Sequence, residues 1–131
     1  QPETHDEIEP GLILLIAEDD EYADKLLTRI IRKICYQTFH ASNGEDAVKI
    51  CREHPEINMV LMDMKMPIMS GFEATREIRK FNQKITIIAQ TAYSMPGDKE
   101  RALDAGCNDY ISKPIISEKL LEIIKKYSLP I

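Results

Sequence analysis

From Gly11 onward the chain alternates five short apolar runs with five longer amphipathic segments in strict order. The runs are "LILLIA" (12–17), "YQTFHA" (36–41), "INMVLMD" (57–63), "KITIIAQT" (84–91) and "DYISK" (109–113). The segments between and after them carry helical spacing. In "EYADKLLTRIIRKIC" (21–35), Leu26, Ile30 and Ile34 share a stripe with Leu27 and Ile31 beside it. "SNGEDAVKICREH" (42–54) predicts a capped helix facing inward through Ala47, Ile50 and Cys51. "GFEATREIRKF" (71–81), "PGDKERALDAG" (96–106) and "SEKLLEIIKKY" (117–127) complete the set, the second started by Pro96 and stopped by Gly106. Strict strand–helix alternation with connections of a few residues implies right-handed β-α-β units and a parallel sheet covered by helices on both faces. The first, third and fourth runs are unbroken enough to be central strands, and the more polar "YQTFHA" suits an edge. The arrangement that satisfies this is strand order 2-1-3-4-5.

A chain of 131 residues, 44% hydrophobic and 30% charged, is sized for one domain with its own core. The formal charge of -5 argues against direct nucleic-acid binding, which needs a basic face. No stretch reaches the length of a membrane span. Cys35, Cys51 and Cys107 lack the spacing of a disulfide framework or zinc site and read as small buried hydrophobes in a reducing, cytoplasmic setting. His5, His40 and His54 are scattered, with His5 and His54 expected to face solvent. Residues 1–11 read as a linker or tail, 12–128 as the domain and 129–131 as its C-terminal end, the whole being expected to be cut from a longer protein.

In an open parallel sheet, function gathers at the carboxyl ends of the strands. Strand 1 ends in Glu18-Asp19-Asp20, strand 3 in Asp63, strand 4 in Thr91 and strand 5 in Lys113-Pro114. Clustered carboxylates raise one another's pKa unless a cation sits among them, and an incomplete oxygen shell suits Mg²⁺. A Lys and a Thr opposite could hold phosphoryl oxygens, and an Asp carboxylate can be the nucleophile. Asp20 is either a third acid at the metal or a helix N-cap. The alternating Met62, Met64 and Met66 could instead hold Cu(I). That alternation is expected to break where strand 3 gives way to loop, leaving Met62 as core and Met66-Pro67 as loop packing.

The motifs "LLIAEDDEYADKLL", "LMDMKMPIMSGFEATREIR" and "IIAQTAYSMPGDKERALDAGCNDYISKPI" together resemble the receiver domains of two-component response regulators, especially those fused to hybrid sensor histidine kinases. The resemblance runs from Leu12 to about Tyr127. It implies a flavodoxin-like (βα)5 three-layer sandwich, with Asp63 as phosphoacceptor. Glu18, Asp19, Asp63 and the backbone carbonyl of Lys65 would hold Mg²⁺, with Mn²⁺ as a substitute. Thr91 would hydrogen-bond the phosphoryl group, Lys113 would neutralise it through a cis Lys113-Pro114 segment, and Tyr110 would be the aromatic switch. Many members carry Asp where Glu18 stands. Lys65 and Tyr93, flanking the acceptor and Thr91, are expected to hinder the hydrolytic water. The implied role is a phosphorelay receiver, not an enzyme beyond assisting its own phosphorylation and dephosphorylation. Its switching surface would be helix 4, strand 5 and helix 5. A histidine kinase or histidine phosphotransfer domain would be its partner, and the domain itself a monomer or weak dimer without membrane contact, any anchoring belonging to a parent protein.

Competing readings place different demands on the same residues. A Mg²⁺-dependent phosphatase would want an acid where Lys65 stands. A flavodoxin-type binding module would want a phosphate-cradling loop where the three acids 18–20 stand. A stand-alone or transcription-factor-linked regulator is the alternative to a hybrid kinase parent.

Overall fold

The computed structural model describes residues 11–92 and 97–128. Five strands, β1 (Leu12–Ala17), β2 (Cys35–Ala41), β3 (Met59–Asp63), β4 (Thr86–Thr91) and β5 (Asp109–Ser112), form one parallel sheet in the order β2-β1-β3-β4-β5. The helices are α1 (Glu21–Ile31), α2 (Gly44–Glu53), α3 (Gly71–Phe81), α4 (Asp98–Ala105) and α5 (Ser117–Ser128). The expected architecture is therefore the one observed.

Strand parity splits the core in two. Ile13, Leu15, Val60, Met62, Ile87 and Ala89 face α2, α3 and α4. Leu14, Ile16, Leu61, Ile88 and Ile111 face Leu27 and Ile31 of α1 and Leu120 and Ile124 of α5. Burying such side chains on both faces drives the fold, at about 1.5–3 kcal/mol for each large aliphatic.

The helices start and stop by local chemistry. Asp20 caps α1 by accepting from the Tyr22 N–H, so its cap role is the one realised. Asn43 Oδ1 accepts from the Asp46 N–H at 2.7 Å. Ser70 and Glu73 form a reciprocal capping box at α3. Gly106, at φ 120°, ends α4 in a conformation that disfavours any residue with a Cβ. Pro96, the expected start of α4, lies outside the described residues, as do His5 and Tyr93.

Several expectations need correction. Helix α1 ends at Ile31 rather than Cys35, because Cys35 already opens the edge strand. Its buried stripe is Leu27 and Ile31, whereas Leu26 and Ile34 are more than one-third exposed. In α2, Ile50 packs half-buried against the core beside Ala47 and Cys51 as expected, and Val48 is buried there as well. Cys51 and Cys107 are buried, but Cys35 is partly exposed and its Sγ contacts the Leu12 carbonyl oxygen at 3.3 Å. His54 is not simply solvent-facing: its ring lies 4.5 Å from that of Phe39, and Nδ1 is 3.3 Å from Glu56. The methionine alternation does continue on one face. Met62 and Met64 sit in the same core cluster and Met66 packs against it, so the thioethers serve as hydrocarbon-embedded packing.

Candidate functional site

The loop after β3 is pinned by two glycine N–H groups. Gly71 donates to the Met64 carbonyl and Gly44 to the Met69 carbonyl, both at 3.0 Å. Gly71 is obligatory for a steric reason, since a Cβ there would collide with the Asp63 carbonyl oxygen. These contacts fix the end of β3 and so the place where Asp63 emerges.

Around Asp63 the strand ends converge as expected. Glu18, Asp19 and Asp63 each present a carboxylate oxygen within 4.8 Å of the others'. Glu18 and Asp63 are buried, at 4% exposure each, and Asp19 is exposed. Lys113 reaches across from β5, its Nζ 3.2 Å from Glu18 Oε1 and 3.3 Å from Asp63 Oδ2. The other Asp63 oxygen, Oδ1, accepts from the Lys65 N–H at 3.1 Å. The Lys113-Pro114 peptide is cis. Tyr110 packs partly buried against the α2/α3/α4-side core, with Lys99 Nζ 5.4 Å from its ring centroid.

Two observations bear on what the site could hold. The Thr91 hydroxyl is buried with no hydrogen-bond partner, an unusual and costly state for a polar atom in a native interior. The carboxylates also carry more negative charge than one lysine neutralises. Burial, then the adjacent Asp63 carboxylate, push the Glu18 carboxyl up to about 7. Burial alone would depress Lys113, but the Asp63 and Glu18 carboxylates outweigh it and raise its pKa. Hard, exposed and buried oxygens converging in this way fit a divalent cation such as Mg²⁺.

Sequence reasoning missed Gln90. It is 1% exposed, and neither Nε2 nor Oε1 has a partner. A lone amide inside the run "KITIIAQT" was the available signal.

A pH dependence follows from Glu18. Its carboxyl in the fold is raised to about 7 from the ordinary 4.5, so the metal-free fold is favoured through this group below about 4.5. That contribution disappears as pH rises through about 7. A divalent cation held by these carboxylates would require the ionised form, so its binding should release a proton near pH 6 and almost none at pH 8. Calorimetric titration in buffers of different ionisation enthalpy measures this directly. Equal proton release at both pH values would contradict it.

Residues 14–125 match the model of the response regulator receiver domain. The chain is 39% identical over 116 residues to the polar-differentiation response regulator DivK of Brucella anthropi, covering 87% of this chain and 94% of that protein. It is similar to a chain in the co-crystal structure of the Saccharomyces cerevisiae phosphotransfer protein Ypd1 with the receiver domain of Ssk1. There the TM-score is 0.85 and the identity 32%, covering 92% of this chain and 91% of that one. It also resembles the receiver domain of a Pseudomonas aeruginosa sensor histidine kinase with magnesium in its active-site cleft. That match has TM-score 0.81 and 33% identity, covering 89% and 97% of the two chains. No helix among the described residues is long and apolar enough to cross a membrane.

Proposed function

The chain belongs to the response regulator receiver domain family, and on that premise we propose that Asp63 accepts a phosphoryl group from a phosphohistidine donor. The observation that carries this is the buried Asp63 carboxylate, held at 3.3 Å by Lys113 beside two further acids; the buried, unpartnered Thr91 hydroxyl at the end of β4 supports it. An Asp63 oxygen attacks phosphorus, the P–N bond breaks, and its electron pair stays on the imidazole. Lys113 offsets charge on the carboxylate and on a phosphoryl oxygen, while the Thr91 hydroxyl donates to another.

Glu18, Asp19, Asp63 and the Lys65 carbonyl would hold Mg²⁺, which would supply charge neutralisation among the carboxylates and phosphoryl oxygens. The magnesium-bound Pseudomonas relative supports this assignment. As Thr91 engages the phosphoryl group, Tyr110 moves inward and the α4–β5–α5 surface changes population. Lys65 stands exposed beside the acceptor and hinders the hydrolytic water. Lys65→Ala should therefore shorten the phosphoryl lifetime, read by the decay of the phosphorylated mass, and an unchanged decay rate would contradict this role.

A phosphohistidine-bearing partner suits the rim of the site. Tyr22 (78% exposed), Ile68 (75%) and Ile116 (52%) place apolar surface on segments that follow β1, β3 and β5 at the same sheet edge. The Ypd1–Ssk1 complex is the relevant parallel. Similarity to the response regulator DivK supports a response-regulator parent, while similarity to a sensor-kinase receiver supports a hybrid kinase parent. A radiolabelled phosphohistidine phosphotransfer domain tests the transfer. Label should move to this chain in the presence of Mg²⁺ and stay on the donor when EDTA is present. Label that never moves would overturn the reading.

A further inference from the structure

Three buried side-chain atoms among the described residues have no hydrogen-bond partner: the Thr91 hydroxyl oxygen and both amide atoms of Gln90. The phosphoryl group accounts for Thr91. It does not account for Gln90, which points to the opposite sheet face. Ile88, two residues earlier, packs on the α1/α5 side, so Gln90 faces that side too. Its neighbours across the sheet are Asp63 on β3 and Ile111 on β5. At this level of the core, between the Asp63 carboxylate and the apolar Ile111, the chain buries an amide with no partner.

Lys113 explains the choice. Its backbone follows β5, yet its Nζ lies on Asp63 and Glu18, which belong to β3 and the end of β1. Because β4 lies between β5 and β3, the lysine stem must span the end of β4, where Gln90 sits. An ammonium has three donors, and two are directed at carboxylates that a divalent cation would also claim. A cation held there would repel the ammonium and compete for these acceptors, until an incoming phosphoryl oxygen offers the lysine a new one. Before that the lysine needs a neutral acceptor close to its stem, and a buried amide oxygen without a partner is within the same layer.

Resting on the Mg²⁺ reading above, we propose that Gln90 is a positioning residue whose side-chain oxygen receives the Lys113 ammonium when a divalent cation occupies the carboxylates. The amide thereby lowers the cost of displacing the lysine and strengthens cation binding. The residue touches neither the cation nor the phosphoryl group, and acts through Lys113.

The test is a double-mutant cycle read by calorimetric Mg²⁺ titration of the phosphate-free chain. One hydrogen bond to a charged group corresponds to about a tenfold to hundredfold change in Kd, so Gln90→Leu should weaken Mg²⁺ binding by at least about tenfold. In a Lys113→Met background the same substitution should change Kd by less than about twofold, because the partner is gone. A purely structural Gln90 would act equally in both backgrounds, and that outcome, or no effect in either, would overturn the proposal. As a check independent of any variant, the Gln90 side-chain amide resonances of the unmodified chain should shift on Mg²⁺ addition, and unmoved resonances would contradict it. If the unmodified chain binds no Mg²⁺ at all, the metal reading itself falls and this inference with it.

Discussion

Replacing Arg79 with methionine should cost about 3–5 kcal/mol of stability, a large fraction of what a domain of this size possesses. The half-buried guanidinium donates from Nε to the Gly106 carbonyl at 2.9 Å and from Nη1 to the Asn82 and Ile85 carbonyls at 3.2 and 2.7 Å. Its Nη2 donates to Asn108 Oδ1 at 2.9 Å, an atom that also accepts from the Ile87 N–H at 2.8 Å. One side chain thus ties the end of α3, the start of β4 and the turn between α4 and β5. Burial lowers the Arg79 pKa, yet it is matched with carbonyl acceptors in a fork that lysine cannot reproduce. Arg79→Lys should therefore recover less than half of the loss. Urea unfolding measures both variants, and a loss below about 1 kcal/mol for Arg79→Met would contradict this role.

Lys113→Met should reduce phosphorylation from a small phosphodonor at least about 100-fold, as removal of a preorganised charge partner does elsewhere. The same change leaves two buried carboxylates, with side chains 1% and 6% exposed, facing each other without a cation. At pH 8 without metal, stability should fall by about 3 kcal/mol. At pH 5 the loss should be smaller, since Glu18, already raised to about 7, carries a proton there. Added Mg²⁺ should restore part of the stability by replacing the missing charge. Phosphorylation within tenfold of the unmodified chain would show that Lys113 does not serve the acceptor.

The sheet was legible because the apolar runs and their order dictate it, and α3 occupies the residues of "GFEATREIRKF", with Ser70 and Glu73 capping its start. The burial face of α1 was not. Its doublets Leu26-Leu27 and Ile30-Ile31 offer two adjacent stripes of equal spacing, and only packing against β1 and α5 selects Leu27 and Ile31. The methionine face was misjudged because Met64 stays in the core although it follows the last residue of β3. At the site, Glu18, Asp19, Asp63, Thr91 and Lys113 were readable as polar residues ending apolar runs; the structure brings the three carboxylates and the Lys113 ammonium together, and the Lys113 N–H donates to the Thr91 carbonyl. Gln90 was hidden by its neighbour: one residue before Thr91, it looked like the start of the polar end and not like a buried amide. Arg79 gave no sequence signal, because its acceptors are carbonyls from segments up to 29 residues away.

The central claim is that Asp63 carries the phosphoryl group. Incubation of the intact chain with a small acyl phosphate and Mg²⁺, followed by intact mass measurement, tests it most directly. The account predicts one phosphoryl adduct on the unmodified chain, its loss on chelation of the metal, and none on Asp63→Asn. No adduct on the unmodified chain, or the same adduct on Asp63→Asn, would contradict it.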